Sequence, residues 1–356
     1  MLSRWKSRSY FDKSRYHKFN IRNLHALVSG KMAALNTPLV FKPIFHERIW
    51  GGRKLKELFG KSIPAGKRIG ESWEIVDRPE AQSIVRNGPL VDRSIHDLWV
   101  NFRGEVFGKV RETPRFPLLI KLLDASEKLS LQVHPAEEVA ESLGGEAKTE
   151  FWYVAAAEPG AEIYAGLRET MTRDQFEQAL RSGTVAKCVH TIPVKEGDAM
   201  FLPSGRFHAI GAGNVLVEVQ QNSDTTYRVF DWNRVDDKGQ PRSLHIEQAL
   251  QCIDFNDVAP KLMEPEGDVL VRHDLFIVEK WNLESPREIA AREQCVIVCC
   301  LSGSLQCGNA DFARGQFFLV PASMADREIH PTGERTSLLR VTIPLSRGEG
   351  HAPSCP

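Results

Sequence analysis

GDAMFLPSGRFHAIG, residues 197–211, decides the fold. It runs as a glycine, a polar residue, a short apolar strand, a proline, a small turn, and then a histidine entering a further strand. ARGQFFLVPASMADREI, at 313–329, repeats that order without a histidine where the first copy has His208. The pair implies two similar β units with chemistry in only one. Outward from these copies, short apolar runs such as PLVFKPIF, SWEIVD, FPLLIKLL, LSLQVHP, EFWYVAA, NVLVEVQQ, LFIVEKWNL, CVIVCCLSG and LLRVTI alternate with Gly, Pro, Asp and Asn turn signals. Helical signals are few: SIHDLWVNF after a Ser cap, PAEEVAESLGG between Pro and Gly, TRDQFEQALRSG with a Thr cap, and SLHIEQALQC. The pattern predicts a mainly β chain of barrel or sandwich type with a few short helices. NDVAPKLMEPEGD, rich in Pro and acid, sets the expected boundary near 256–270. The expected units are 37–258, carrying the chemistry, and 259–345, followed by a flexible tail at 346–356.

The 356 residues carry 46 basic and 46 acidic side chains, a formal net charge of zero. That balance argues against a nucleic-acid partner held by phosphate neutralisation and against a basic membrane-surface binder. No run of about eighteen apolar residues suggests a membrane span. The seven cysteines form no CxxC pair, and CVIVCCL reads as a buried strand carrying small thiols. Without a secretory apolar region, a reducing cytoplasm is the expected setting. Residues 1–36 form a basic extension, with Arg4, Lys6, Arg8, Lys13, Arg15, Lys18, Arg22 and Lys31 against Asp12. It resembles an organelle transit peptide, against two plainer readings, a disordered arm or sequence upstream of a true start at Met32; the last is favoured, and the segment is set aside from the fold.

In LSLQVHP, the two-residue period of a strand puts Ser130, Gln132 and His134 on one face. KTEFWYVA puts Lys148 and Glu150 on one face by the same rule, and His208 follows the Pro-Gly turn. Singly, each has a plain reading as a satisfied core histidine, a salt-bridged carboxylate or a turn cap. Together, two imidazoles, a carboxylate and an amide suit a divalent ion such as zinc, with a position left for substrate oxygen. Their spacing, His then Glu on the next strand then G-x5-P-x-G-x2-H, matches the metal pattern of cupins. Lys121 lies inside PLLIKLL, where burial without a partner is costly.

FPLLIKLLDASEKLSLQVHP, KTEFWYV, PSGRFHAIG and QQNSDTTYRVFDWNR, with GESWEIVDRPE at 70–80 and WGG at 50–52, resemble the signature segments of type I mannose-6-phosphate isomerases in their short bacterial form. The resemblance runs over roughly residues 39–345 and implies two cupin (jelly-roll) β-barrel domains. It implies one zinc ion per chain on Gln132, His134, Glu150 and His208, with Lys121, Ser130, Lys148, Asp224 and Arg228 as further active-site positions. The implied reaction interconverts mannose 6-phosphate and fructose 6-phosphate by moving a proton between C1 and C2 through a metal-stabilised enediolate. Arg228 is then expected to stabilise negative charge, Lys121 and Ser130 to hold the phosphate, and Lys148 and Asp224 to serve proton transfer, with the base unassigned. The expected partner is a sugar phosphate, on a monomer or homodimer. The helical insertion of longer eukaryotic members is missing, so contacts made there have no counterpart. Two competing readings are an iron-dependent cupin oxygenase and a non-catalytic sugar-binding cupin. Gln132 and the Lys- and Arg-rich surroundings suit a sugar phosphate better than oxygen chemistry.

Overall fold

The computed structural model describes residues 35–345 apart from 236 and 237, so the expectations for the basic leader through 34 and for the tail from 346 lie outside the described residues. The first unit comprises β1 (Ile44–Gly52), β2 (Ile69–Ile75), β3 (Leu118–Ala125), β4 (Leu131–Val133), β5 (Glu150–Ala157), β6 (Glu162–Leu167), β7 (Val189–Pro193), β8 (Ala199–Leu202), β9 (His208–Ile210), β10 (Asn214–Gln221) and β11 (Tyr227–Phe230). Among the described residues these strands form two sheets, ordered β1-β2-β3-β10-β5-β8 and β11-β4-β9-β6-β7. The sheets face each other across an apolar interior of Leu123, Trp152, Leu216, Ile163, Ala165 and Ile210.

The second unit repeats the plan with β12 (Val269–Arg272), β13 (Ile277–Leu283), β14 (Arg287–Glu288), β15 (Val296–Ser302), β16 (Ser304–Cys307), β17 (Ala310–Ala313), β18 (Phe317–Val320), β19 (Glu328–Pro331) and β20 (Thr336–Thr342). Its sheets run β12-β13-β20-β15-β18 and β14-β19-β16-β17. The order β3-β10-β5-β8 thus returns as β13-β20-β15-β18, and the echoed sequences occupy matching places at β8–β9 and β18–β19. Where His208 opens β9, the buried Arg327 stands just before β19. Its guanidinium donates to the carbonyls of Met324 at 2.7 Å, Pro321 at 2.8 Å and Gln294 at 3.1 Å, and to those of Ala291 and Ala322. A side-chain cation therefore ties the loops together at the connection that carries a metal-type histidine in the first unit.

The broad sheets of the two units share one core, in which Ile120, Phe151, Tyr153 and Val217 join Ile297, Cys299, Leu339 and Val341. Strands β3, β5 and β10 are consequently covered on both faces, which is why FPLLIKLL and NVLVEVQQ read as nearly unbroken apolar runs. The described cysteines, including Cys295, Cys299 and Cys300, are free and buried, in keeping with the strand reading of CVIVCCL.

Two helices begin where the sequence places them. Ser94 Oγ accepts from Asp97 N at 3.1 Å to start α1 (Ile95–Asn101), and Thr172 with Gln175 forms a reciprocal capping box on α2 (Arg173–Arg181). One expectation needs correction. PLVFKPIF is not a continuous strand: Leu39 and Phe41 make isolated bridges to Leu319 and Val85, and regular pairing begins only at Ile44. Pro38 and Pro43 have no N–H to give a ladder, which breaks the run.

Candidate active site

Strand register builds the site from the backbone. On the five-stranded sheet His208 stands opposite Gln132, and Gln132 stands opposite Arg228 on the next strand. Glu150 opens β5 on the facing sheet. The donor atoms converge: His134 Nε2 lies 3.3 Å from Glu150 Oε1, His208 Nε2 lies 3.6 Å from Glu150 Oε2, and the Gln132 amide lies 3.4 Å from His208 Nε2. Four donors arranged tetrahedrally at zinc-type bond lengths would be about 3.3–3.6 Å apart. The Gln132 amide presents its nitrogen to His208, and a half-turn of that amide presents Oε1 instead.

His134, Glu150 and His208 are buried, and their ligand atoms all lie within 4.8 Å of one another. Both ring nitrogens of His134 and both oxygens of Glu150 are buried without a well-aligned hydrogen bond, although Lys148 Nζ sits 2.9 Å from Glu150 Oε1. Burying such groups unsatisfied costs about 1–3 kcal/mol each, so this donor set fits a divalent cation. Burial, with Lys148 beside it, pushes His134 down to about 3, which leaves a neutral imidazole with a free lone pair. Burial also lowers His208, whose Nδ1 donates to the Arg206 carbonyl at 2.8 Å and so turns Nε2 toward the group. Burial alone would raise Glu150, but Lys148 and the two histidines outweigh it and hold the carboxyl well below its usual range.

The group opens into a cavity of about 460 Å³, lined by Ser130, Gln132, Lys148, Glu150, Asp224 and Arg228 among others. Lys121 forms its buried floor, with Nζ 2.9 Å from Glu218 Oε2. Glu218 Oε1 accepts from Trp152 Nε1 at 3.0 Å, and burial raises its pKa although Lys121 pulls the other way. Glu71 bonds Arg48 at 2.6 Å; burial would raise it, but Lys121 and Arg48 hold it at about 2. Asp224 stands exposed at the rim. Arg228 Nε reaches Ser130 Oγ at 3.3 Å and Nη1 donates to the Ser243 carbonyl at 2.8 Å. Arg228 makes no ion pair with the nearby Asp231, which instead binds Arg234 and Arg242, each at 2.6 Å. Among the described residues Arg228 is the lining guanidinium without a carboxylate partner at ion-pair distance.

Every residue picked from the sequence therefore lies at this one pole or in the cavity wall. Sequence reasoning passed over Glu71, Glu218, Arg48 and Arg242. Glu218 carries the same signal that drew attention to Lys121, a charge inside an apolar strand, and the two are opposite in the β3–β10 register.

A family model described as phosphomannose isomerase type I, catalytic domain, matches residues 39–161. A mannose-6-phosphate isomerase of Streptococcus mutans is 39% identical over 295 residues, covering 80% of this chain and 92% of that protein. The Bacillus subtilis mannose-6-phosphate isomerase ManA is 34% identical over 310 residues, covering 83% and 97%. A crystal structure of the mannose 6-phosphate isomerase from Bacillus subtilis superposes with a TM-score of 0.77 at 35% identity, over 86% of this chain and 99% of that one. Among the described residues no helix is long and apolar enough to cross a membrane. Kinship at this level, sustained over nearly the whole length of those relatives and joined to the same strand plan, makes this chain a member of the type I phosphomannose isomerase family.

Proposed function

We propose that the chain interconverts mannose 6-phosphate and fructose 6-phosphate, with one zinc ion held by Gln132, His134, Glu150 and His208. The observation that carries this reading is the convergence of buried, unsatisfied donors beside a cavity whose lining includes Lys121, Lys148 and the carboxylate-free Arg228. A bound divalent ion supplies Lewis-acid polarisation of the sugar's C1 and C2 oxygens. The chain does the remainder. Arg228, with no carboxylate to neutralise it, faces the charge that develops as the C2 proton leaves. Lys148, 2.9 Å from Glu150, moves protons on the hydroxyl oxygens. Ser130 and Lys121 are assigned to the phosphate; Lys121 takes that role only while sharing its charge with Glu218.

Two carboxylates compete for the C2 proton. Asp224 faces the cavity at its rim, whereas Glu218 lies at the floor, where burial raises its pKa and its oxygens meet Lys121 Nζ and Trp152 Nε1. Comparing Asp224→Asn with Glu218→Gln decides between them: loss of the base lowers turnover by about a hundredfold or more with metal content unchanged.

The main reading is tested by mannose 6-phosphate turnover before and after chelation, with metal analysis of the same sample. Turnover should vanish with the metal and return when zinc is restored. Full activity in metal-free protein, or in metal-free His208→Ala, would sink it.

A further inference from the structure

Immediately after β11 the chain makes an unusual turn. Trp232 and Asn233 take left-handed φ values of 56° and 55°, which non-glycine residues adopt only when their surroundings enforce it. Two contacts do so. Trp232 Nε1 donates to the Leu129 carbonyl at 2.6 Å, and Arg234 folds back to place Nη2 2.6 Å from Asp231 Oδ1. The same carboxylate, 5% exposed, also receives Arg242 through both Nε and Nη2, at 2.7 and 2.6 Å. Asp231 thus pins both ends of the 234–242 loop with a single pair of oxygens.

The residue next to Arg242 is Ser243, whose carbonyl accepts from Arg228 Nη1 at 2.8 Å. Two residues further on, His245 exchanges hydrogen bonds with the Arg228 backbone, giving its own N–H to the Arg228 carbonyl at 2.8 Å and accepting from Arg228 N at 3.1 Å. One side of the Arg228 guanidinium is therefore met by Ser130 and the other by Ser243, the neighbour of the Arg242 that Asp231 binds.

We propose that Asp231 is a positioning residue for the reaction: its bidentate bond to Arg242 fixes the Ser243 carbonyl and through it the direction of the Arg228 guanidinium. The proposal rests on the reading of Arg228 given above. It also accounts for the different settings of the arginines at the mouth, where Asp231 engages Arg234 and Arg242 and leaves Arg228 available to an anion.

Asp231→Asn keeps the shape but puts an NH2 donor where Oδ2 accepts from Arg242 Nε, so the bidentate bond to Arg242 is lost. It should lower kcat about tenfold while leaving KM within about twofold and metal content unchanged, the signature of a displaced group rather than a lost fold. Asp231→Glu should recover part of that loss. In an Arg228→Ala background the same change should cost less than about twofold, because the group it positions is gone. A wild-type kcat in Asp231→Asn, or an undiminished tenfold loss in the Arg228→Ala background, overturns the proposal. A crystal structure of Asp231→Asn judges it without reference to rate: Arg228 Nη1 should leave the Ser243 carbonyl, and an unchanged bond refutes the positioning role. Wild-type turnover in Arg228→Ala would remove Arg228 from the chemistry, while the structural comparison would still decide what Asp231 does. If Asp231→Asn does not fold, Arg242→Gln breaks the same bidentate bond from its other side and is read by the same structure.

Discussion

At the scale of single residues, the cavity is a set of charges that differ in how far each is already neutralised. Arg228 has hydrogen-bond partners but no carboxylate, so Arg228→Ala should keep metal and fold yet lose about a hundredfold in kcat, checked by steady-state kinetics beside metal analysis. Lys121 is the opposite case. Removing it strands Glu218 in a buried setting, so Lys121→Met should cost about 3 kcal/mol in stability, and adding Glu218→Gln should recover most of that loss. Chemical denaturation of the single and double variants measures both values. The metal-type residues were legible in the sequence because strand alternation and the Gly-Pro-Gly-His spacing constrain them locally. Glu218 and Asp231 were not, because their meaning lies in partners: Lys121 lies on a neighbouring strand, and Arg242 lies eleven residues further along a loop.

At the scale of elements, the WGG that ends β1 shows how packing selects sequence. A Cβ on Gly51 would lie 2.4 Å from the backbone nitrogen of Gly70, and one on Gly52 would lie 2.5 Å from Asp124 Oδ2. The Asp124 carboxylate accepts from Lys54 N at 2.7 Å and fixes the turn that follows the cavity-lining Trp50. Burial pushes Asp124 up to about 6, while an unfolded aspartate titrates near 4. The folded state therefore holds the extra proton between those values. Its contribution is complete below about pH 4 and lost as pH rises through about 6, an effect of at most about 3 kcal/mol. Asp124→Asn retains an acceptor for Lys54 N and should flatten stability against pH in that window; thermal melts of both proteins across pH 4–7 show whether it does. WGG was legible as a motif, but its cause required knowing which strand it meets. PLVFKPIF misled for a related reason, since its apolar content reflects packing on both units while its prolines forbid a ladder.

At the scale of the whole molecule, we propose that the units at 37–258 and 259–345 are repeats in plan but not independent bodies. Their broad sheets share one core, and Leu39 near the start of the described chain bridges to Leu319 near its end. A chain stopped at residue 258 would expose the outward side chains of β3, β5 and β10 to water, an apolar face of the kind that drives association. It should be insoluble or aggregated, which size-exclusion chromatography after expression would reveal; a soluble monomer with native circular dichroism would argue that the halves fold alone. The duplication itself was legible in the echo between 197–211 and 313–329. The shared core was not, because a strand buried on both faces looks the same in sequence whatever covers it.

Arg327 gives this duplication an asymmetry that solution conditions can expose. The second half carries its cross-linking cation as part of the polypeptide, so no chelator can strip it and no competing ion can replace it. On the metal-bound reading proposed above, the first half depends on supply from outside. Withdrawing metal should hasten amide exchange around residues 130–150 and 203–208 while leaving 289–294 and 321–327 as protected as before, so that one end of the protein reports on metal availability and the other stays indifferent to it.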